Sequence, residues 1–336
     1  MPTHLDDPRT EVHTIADDAP PVSSTTGPAT AWVLGLLLVV AALVGAAWLW
    51  TLSISTIEET TSTFEDVTAL QLDIDHGTVT VAPSDSALVT VHEQLETTIR
   101  PIETSHQLDD NGTLELSSQS CGAVAFGFFN QCSAHFTVSV PDGVNISGAT
   151  GHGSIEATGL TSDIDLVSRH GRLDFQDITG DVAAQTRHGA VELHRVSGSV
   201  NVETSHGRID AYDLDGPLTA NSRHGAIELS GGTAETVDIF TTHGRIEIVD
   251  IASERVDATT NHGAVQVQPT THPEHIDLNT SHGSISVILP ADPPPYTVNA
   301  STNNGDEEIG LPSDPSAEHR LTAETNHGSI TVGIDR

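Results

Sequence analysis

From about residue 67 onward the chain alternates apolar and polar positions in short runs, as in Val200-Asn201-Val202-Glu203 and Ile209-Asp210-Ala211-Tyr212. A period of two is that of a β-strand with one buried face, not of a helix. The runs come in pairs. A glycine such as Gly180, Gly198 or Gly216 separates the two members, where a turn must reverse the chain. A His-Gly dipeptide closes each pair, at His76, His152, His170, His188, His206, His224, His243, His262, His282 and His327. From His152 the intervals are 18, 18, 18, 18, 19, 19 and 20 residues, and Asn304-Gly305 fills the slot before His327.

A fixed period with two strands per copy predicts an all-β fold, a β-solenoid of stacked two-strand coils of about 18–20 residues. Repetition follows because one coil cannot bury its apolar face alone. His76 obeys the pattern through Leu70, Leu72 and Ile74, so the array is expected to begin there. Between residues 80 and 150 the copies are degenerate and the loops longer.

Counting back in twos, His206 follows Thr204, Val202 and Val200, and His224 follows Ser222, Ala220 and Leu218. Alternate residues share a face, so the histidines are expected on the inward side at the rim of the core, unless the turn rotates the last position. The glycine after each is read as a corner residue, where φ can be positive. Stacked coils would set equivalent imidazoles about 4.8 Å apart. His170, His188, His206, His224, His243, His262 and His282 would then form a ladder. Structural stacking is the favoured role, with weak zinc, copper or nickel binding and pH sensing as alternatives. In a straight file two rings could pinch one ion, but a third could not reach it, and neither HExxH nor paired CxxC occurs. Protonating neighbouring rings would crowd like charges, so stability is expected to fall with pH through the unfolded histidine range, about 6.5.

Residues 30–52 break the alternation, being uncharged and almost wholly apolar, with Trp32, Trp48 and Trp50 near the ends. That is about the length of a bilayer crossing, with aromatic residues at its interfaces. A cleaved signal peptide is the alternative, but its apolar region is usually shorter and follows basic residues, whereas only Arg9 precedes this one. The expected organisation is a disordered acidic tail at 1–29, a single transmembrane helix at 30–52, a polar spacer at 53–66 and a β-repeat ectodomain at 67–336. Arg9 on the N-terminal side, with Arg100 the next basic residue, favours an inside N-terminus and an extracellular C-terminal domain. Cys121 and Cys132, the only cysteines, close a short loop; a disulfide in an oxidising compartment suits them, with two buried thiols as the alternative. The expected location is the cell membrane, as a single-pass protein.

With 47 Asp and Glu against 12 Lys and Arg, the net charge is −35, which argues against DNA or RNA as a partner. Arg172, Arg208 and Arg245 follow the corner glycine in alternate copies, with Ala190, Ala226 and Ala264 between. Neighbouring carboxylates could neutralise them, or they could form a row that grips acidic glycans or phosphate head groups. Phe126, Phe128 and Phe129, inside the Cys-bounded loop, could cap an open end of the core or form an exposed contact tip. Acidic residues such as Asp210, Glu228 and Glu247 recur in nearly every copy and no pair stands out, as a glycan-acting enzyme would require. With no GxSxG elbow and no Gly-rich phosphate loop, no catalytic residue and no cofactor is expected.

The segments "GRIDAYDLDG" and "SGSVNVETSHG" with their copies, the Cys121/Cys132 segment leading into "HFTVSVPDGVNIS", and the N-terminal apolar stretch together resemble the toastrack domains. These form an adhesin-labelled family of β-strand repeats, and the likeness covers about residues 64–336. The resemblance implies an all-β, solenoid-like surface domain without known catalytic residues, whose relatives often sit beside envelope-stress signalling components. Such repeats commonly carry Ser or another small residue before the glycine, and the histidine here departs from that. The expected function is surface contact or envelope sensing by a membrane-anchored extracellular domain, with a cell-surface protein or glycan as partner. Metal binding or pH sensing through the histidine ladder is the alternative, and a glycan-acting β-helix enzyme the least favoured.

Overall fold

The computed structural model describes residues 28–52, 56–97, 102–119 and 132–335. They fall into two compact units divided at Thr51. The first contains a single helix, α1 (Pro28–Leu52), apolar on all sides and without a charged residue. Leu36, Leu37, Leu38 and Leu43 are exposed along it. Among the described residues no helix is long and apolar enough to cross a membrane.

The second unit is all β. Parallel strands stack coil upon coil through about ten turns, in two files. One file runs through strands such as Leu173–Thr179, Val191–Ser197 and Ile209–Asp215. The other runs through Val182–Thr186, Val200–Thr204 and Leu218–Ser222. Register is maintained residue for residue, with Val182 beside Val200 and Val200 beside Leu218. Each coil turns its apolar positions into one shared core, and in the coil from Ile209 to Ala220, Ile209, Ala211, Leu214, Leu218 and Ala220 are at most 1% exposed. Each large aliphatic side chain so buried contributes about 1.5–3 kcal/mol.

Chain order and spatial order agree only in the middle of the stack. Near the N-terminus the strand Ala69–Pro83 lies between strands that follow it in sequence. Leu70 pairs with Leu114 on one side and with Ile146 on the other. At the C-terminus, His319–His327 slips between His275–His282 and Tyr296–Asn304, so Leu321 pairs with both Ile276 and Val298. Asn304-Gly305 therefore lies outside His327 and not before it.

Residues 56–64 depart from the expected spacer. Thr56–Phe64 is a strand, antiparallel to Val89–Thr97, which itself runs antiparallel to Cys132–Val140. Its threonines and isoleucine favour extended backbone, Phe64 packs against the core, and the strand Val89–Thr97 gains a partner along its otherwise open edge. Of the expected tail, residues 1–27 lie outside the described residues. So do Cys121, the side chain of Cys132, and Phe126, Phe128 and Phe129, on which the disulfide and the capping loop depend.

Candidate functional site

The His-Gly corner is built from the hydroxyl two residues before the histidine. Thr204 is 2% exposed; its hydroxyl accepts from Gly207 N–H at 3.0 Å and donates to the Gly189 carbonyl of the preceding coil at 3.4 Å. Thr186 and Ser222 make the same pair of bonds, each to its own glycine and to the carbonyl one coil back. This local turn is an alternative to continuing the strand. It carries the glycine backbone inward and swings the histidine just before it outward.

The ladder histidines are accordingly exposed, which corrects the inward placement expected from alternation alone. The buried hydroxyl ends the period of two, and the turn rotates the next position. The glycines need revision too. Gly207 does not adopt a left-handed φ; it is required because a Cβ there would lie 1.7 Å from the Gly189 carbonyl oxygen. Conformational freedom is needed at the opposite corner instead, where Gly216 has φ +147°.

The seven expected histidines stack in file, and His76, His152 and His327 extend the row at both ends. Successive ring centroids are 4.6–5.0 Å apart and adjacent rings are within 16° of parallel. The row runs for about 40 Å at one ring per rung. An imidazole donates its lone pair in the ring plane, so parallel rings aim past a common point, and a metal–nitrogen bond of about 2.1 Å cannot be made to two of them without turning one. Among the described residues no three His, Cys, Asp or Glu side chains converge as metal ligands.

On one side of this row lie Arg172, Arg208 and Arg245, and each joins two coils. Arg172 pairs with Asp174 of its own coil and Glu192 of the next, and Arg208 likewise with Asp210 and Glu228. Arg245 pairs with Glu247 and donates to Gln266 Oε1 at 2.9 Å. One guanidinium serves two rungs, which accounts for the alternation with Ala190, Ala226 and Ala264. Burial pushes the Asp210 carboxyl up despite Arg208, while the pairing with Asp210 pushes the Arg208 guanidinium up. Desolvation of the carboxylate outweighs its attraction to a half-exposed partner.

On the other side, immediately before the histidines, stand Arg169, Arg187 and Arg223. All three are exposed, and among the described residues none has an ion-pair or hydrogen-bond partner for its side chain. They open onto a trough along the outer face of the second file. One stretch, of about 350 Å³, is lined by Ser168, Arg169, Gln185, Arg187, Glu203 and Ser205. A second, of about 300 Å³, shares Glu203 and Ser205 and continues to Asn221, Arg223, Phe240 and Thr242. The repeat does not single out these arginines, although "SRHG" and "TRHG" contain them. The repeat alone does not show which arginines face a carboxylate.

Parallel two-strand coils, close-packed glycine corners and linear rows of one side-chain type define a β-solenoid repeat domain that presents long edges to its surroundings. The chain belongs to the Toastrack DUF4097 family, whose model matches residues 67–334. Among solved structures it is similar to an inferred lipid-binding protein from Parabacteroides distasonis, with 14% identity over 84% of this chain and 97% of that one and a TM-score of 0.41. An inferred adhesin from the same organism shows 12% identity over 84% and 98%, with a TM-score of 0.38. An inferred adhesin from Bacteroides fragilis shows 15% identity over 82% and 97%, with a TM-score of 0.31. No curated protein matches the chain.

Proposed function

We propose that this chain is a non-catalytic contact domain of the cell surface, anchored by one membrane crossing, with the histidine-lined corner as its contacting edge. The observation that carries the reading is the row of ten exposed, stacked imidazoles flanked on both sides by arginines, in a protein otherwise strongly acidic. The fold puts equivalent groups in equivalent settings along each row, which suits an extended contact better than a single reacting centre. The uncharged residues 30–52, the lone Arg9 before them and the two cysteines after them support an inside N-terminus and a β-domain outside.

A pH response of the same edge is the second reading, favoured by the ring spacing. At 4.6–5.0 Å, protonating neighbours sets like charges one rung apart and turns the row into a positive stripe. The test is protease treatment of intact cells, followed by alkaline washing of their membranes. The β-domain should be digested from outside while α1 stays with the membrane, and a chain lacking residues 30–52 should be released. A full chain that washes off, or that is digested only after lysis, overturns the reading.

A further inference from the structure

We propose that the trough bearing Arg169, Arg187 and Arg223 binds an extended anionic polysaccharide, one carrying carboxylate or sulfate groups along its length. The inference deepens the surface-contact reading by naming the class of partner, and it rests on that reading. The chain has 47 acidic residues against 12 basic ones, and each of Arg172, Arg195, Arg208, Arg245 and Arg255 has found a carboxylate. Arg169, Arg187 and Arg223 are exposed and have none, a condition shared among the described arginines only by Arg320 near the C-terminus. The three share one face and one register position, since Ser168, Thr186, Thr204 and Ser222 stand in file and the arginines follow the first, second and fourth of these. Arg169 and Arg187 are one rung apart and Arg187 and Arg223 two, so three donor forks point along a line at intervals of about 5 and about 10 Å.

Each fork matches a carboxylate or sulfate bidentately. Gln185, Ser205, Asn221 and Thr242 supply neutral donors and acceptors between them, as sugar hydroxyls need. Phe240, 40% exposed, offers a ring face at the far end on which a sugar could stack. The single carboxylate in the trough, Glu203, already accepts a hydrogen bond from Gln185 Nε2 at 3.0 Å. A polymer whose units are about one coil long can meet successive rungs in register, whereas a single small anion would engage one fork. A nucleic acid is disfavoured by the net charge of −35.

The test is calorimetric titration of the full-length chain in detergent with three hexasaccharides: an oligogalacturonate, a heparin fragment and neutral maltohexaose. One or both anionic sugars should bind and maltohexaose should not; which of them binds distinguishes carboxylate from sulfate as the charge that is read. The triple variant Arg169→Gln, Arg187→Gln, Arg223→Gln should weaken binding at least tenfold with an unchanged melting temperature, because its side chains are free in the fold. Phe240→Ser should weaken it severalfold, and Arg255→Gln, which lies elsewhere, should leave it unaltered. Affinity should fall as salt is raised. No binding by the parent chain, equal binding of maltohexaose, or parental affinity in the triple variant overturns the proposal. Because the titration does not depend on topology, glycan binding by a chain that fails the protease test would keep the trough and remove the surface reading.

Discussion

Alanine at Gly207 adds one methyl group, and in most settings that change is neutral or stabilising by about 0.4–1 kcal/mol, through the unfolded chain. Here the opposite sign is expected. The added Cβ would sit 1.7 Å from the Gly189 carbonyl oxygen, 2.7 Å from its carbon and 2.7 Å from Thr204 Oγ1, where ordinary contact begins at 3.4 Å. Relief requires the corner to open by about 1.5 Å, and the interior is packed too densely to absorb that locally. The bonds that tie this corner to its neighbours would then be lost: His206 N–H to the Arg187 carbonyl at 3.0 Å, Ser205 N–H to the Thr186 carbonyl at 3.2 Å, and Val191 N–H to the Arg208 carbonyl at 3.0 Å. At about 1 kcal/mol each, and more where a buried group is orphaned, the loss is about 3–5 kcal/mol. Gly333→Ala is the control, because nothing lies within 4 Å of a Cβ there. Urea unfolding followed by far-ultraviolet circular dichroism should show a large fall in midpoint for Gly207→Ala and a shift within about 0.5 kcal/mol for Gly333→Ala. Equal midpoints for the two variants would refute close packing as the reason for the glycine row.

Thr204→Val keeps the shape but deprives Gly207 N–H and the Gly189 carbonyl of their partner, so it should cost about 1–3 kcal/mol, while Thr204→Ser should cost less; thermal melts of the two variants check this. Arg208→Ala should lower stability by about 1 kcal/mol at low salt and less at high salt, since the guanidinium is 51% exposed; adding Glu228→Gln should restore part of the loss. Burial raises the Tyr296 phenol far above its ordinary range, and its hydroxyl donates to the Pro273 carbonyl at 2.6 Å. The folded state therefore holds this proton more tightly than the unfolded chain, so the stability it contributes is complete below pH of about 10 and is lost as pH rises beyond that. Alkaline melts of the parent and of Tyr296→Phe should diverge below that pH and converge above it.

Much of this was legible in the residues. The period of two, the second glycine and the buried sequence Val200, Val202, Thr204 were sufficient for the two-file stack and its core, because burial repeats in every copy. The histidine's direction was not legible, since it depends on a hydroxyl bonding forward to Gly207 and back to Gly189, contacts that alternation does not encode. The reason for a corner glycine such as Gly207 was hidden for a similar cause, as its constraint comes from the neighbouring coil and not from its own φ, whereas Gly77 and Gly328, in the outer parts of the row, do have positive φ. At the candidate site, the ladder followed from spacing alone. Which arginines stand free did not, because pairing depends on whether a carboxylate such as Glu192 or Glu228 faces the guanidinium across a rung.

The swapped order at the two ends of the stack bears on how the chain is assembled as it leaves the ribosome. Residues from about 145 to 289 can zip coil by coil in the order of synthesis, each new turn docking on the last. The strand Tyr296–Asn304 cannot take its place when it emerges, since its neighbour is His319–His327, made later. Ala69–Pro83, made early, must likewise wait for two flanking strands still to come. The expected order is nucleation in the middle with both ends closing afterwards by insertion. Once closed, the C-terminal end cannot be peeled in simple sequence order, because its outermost strand, Tyr296–Asn304, is held by His319–His327.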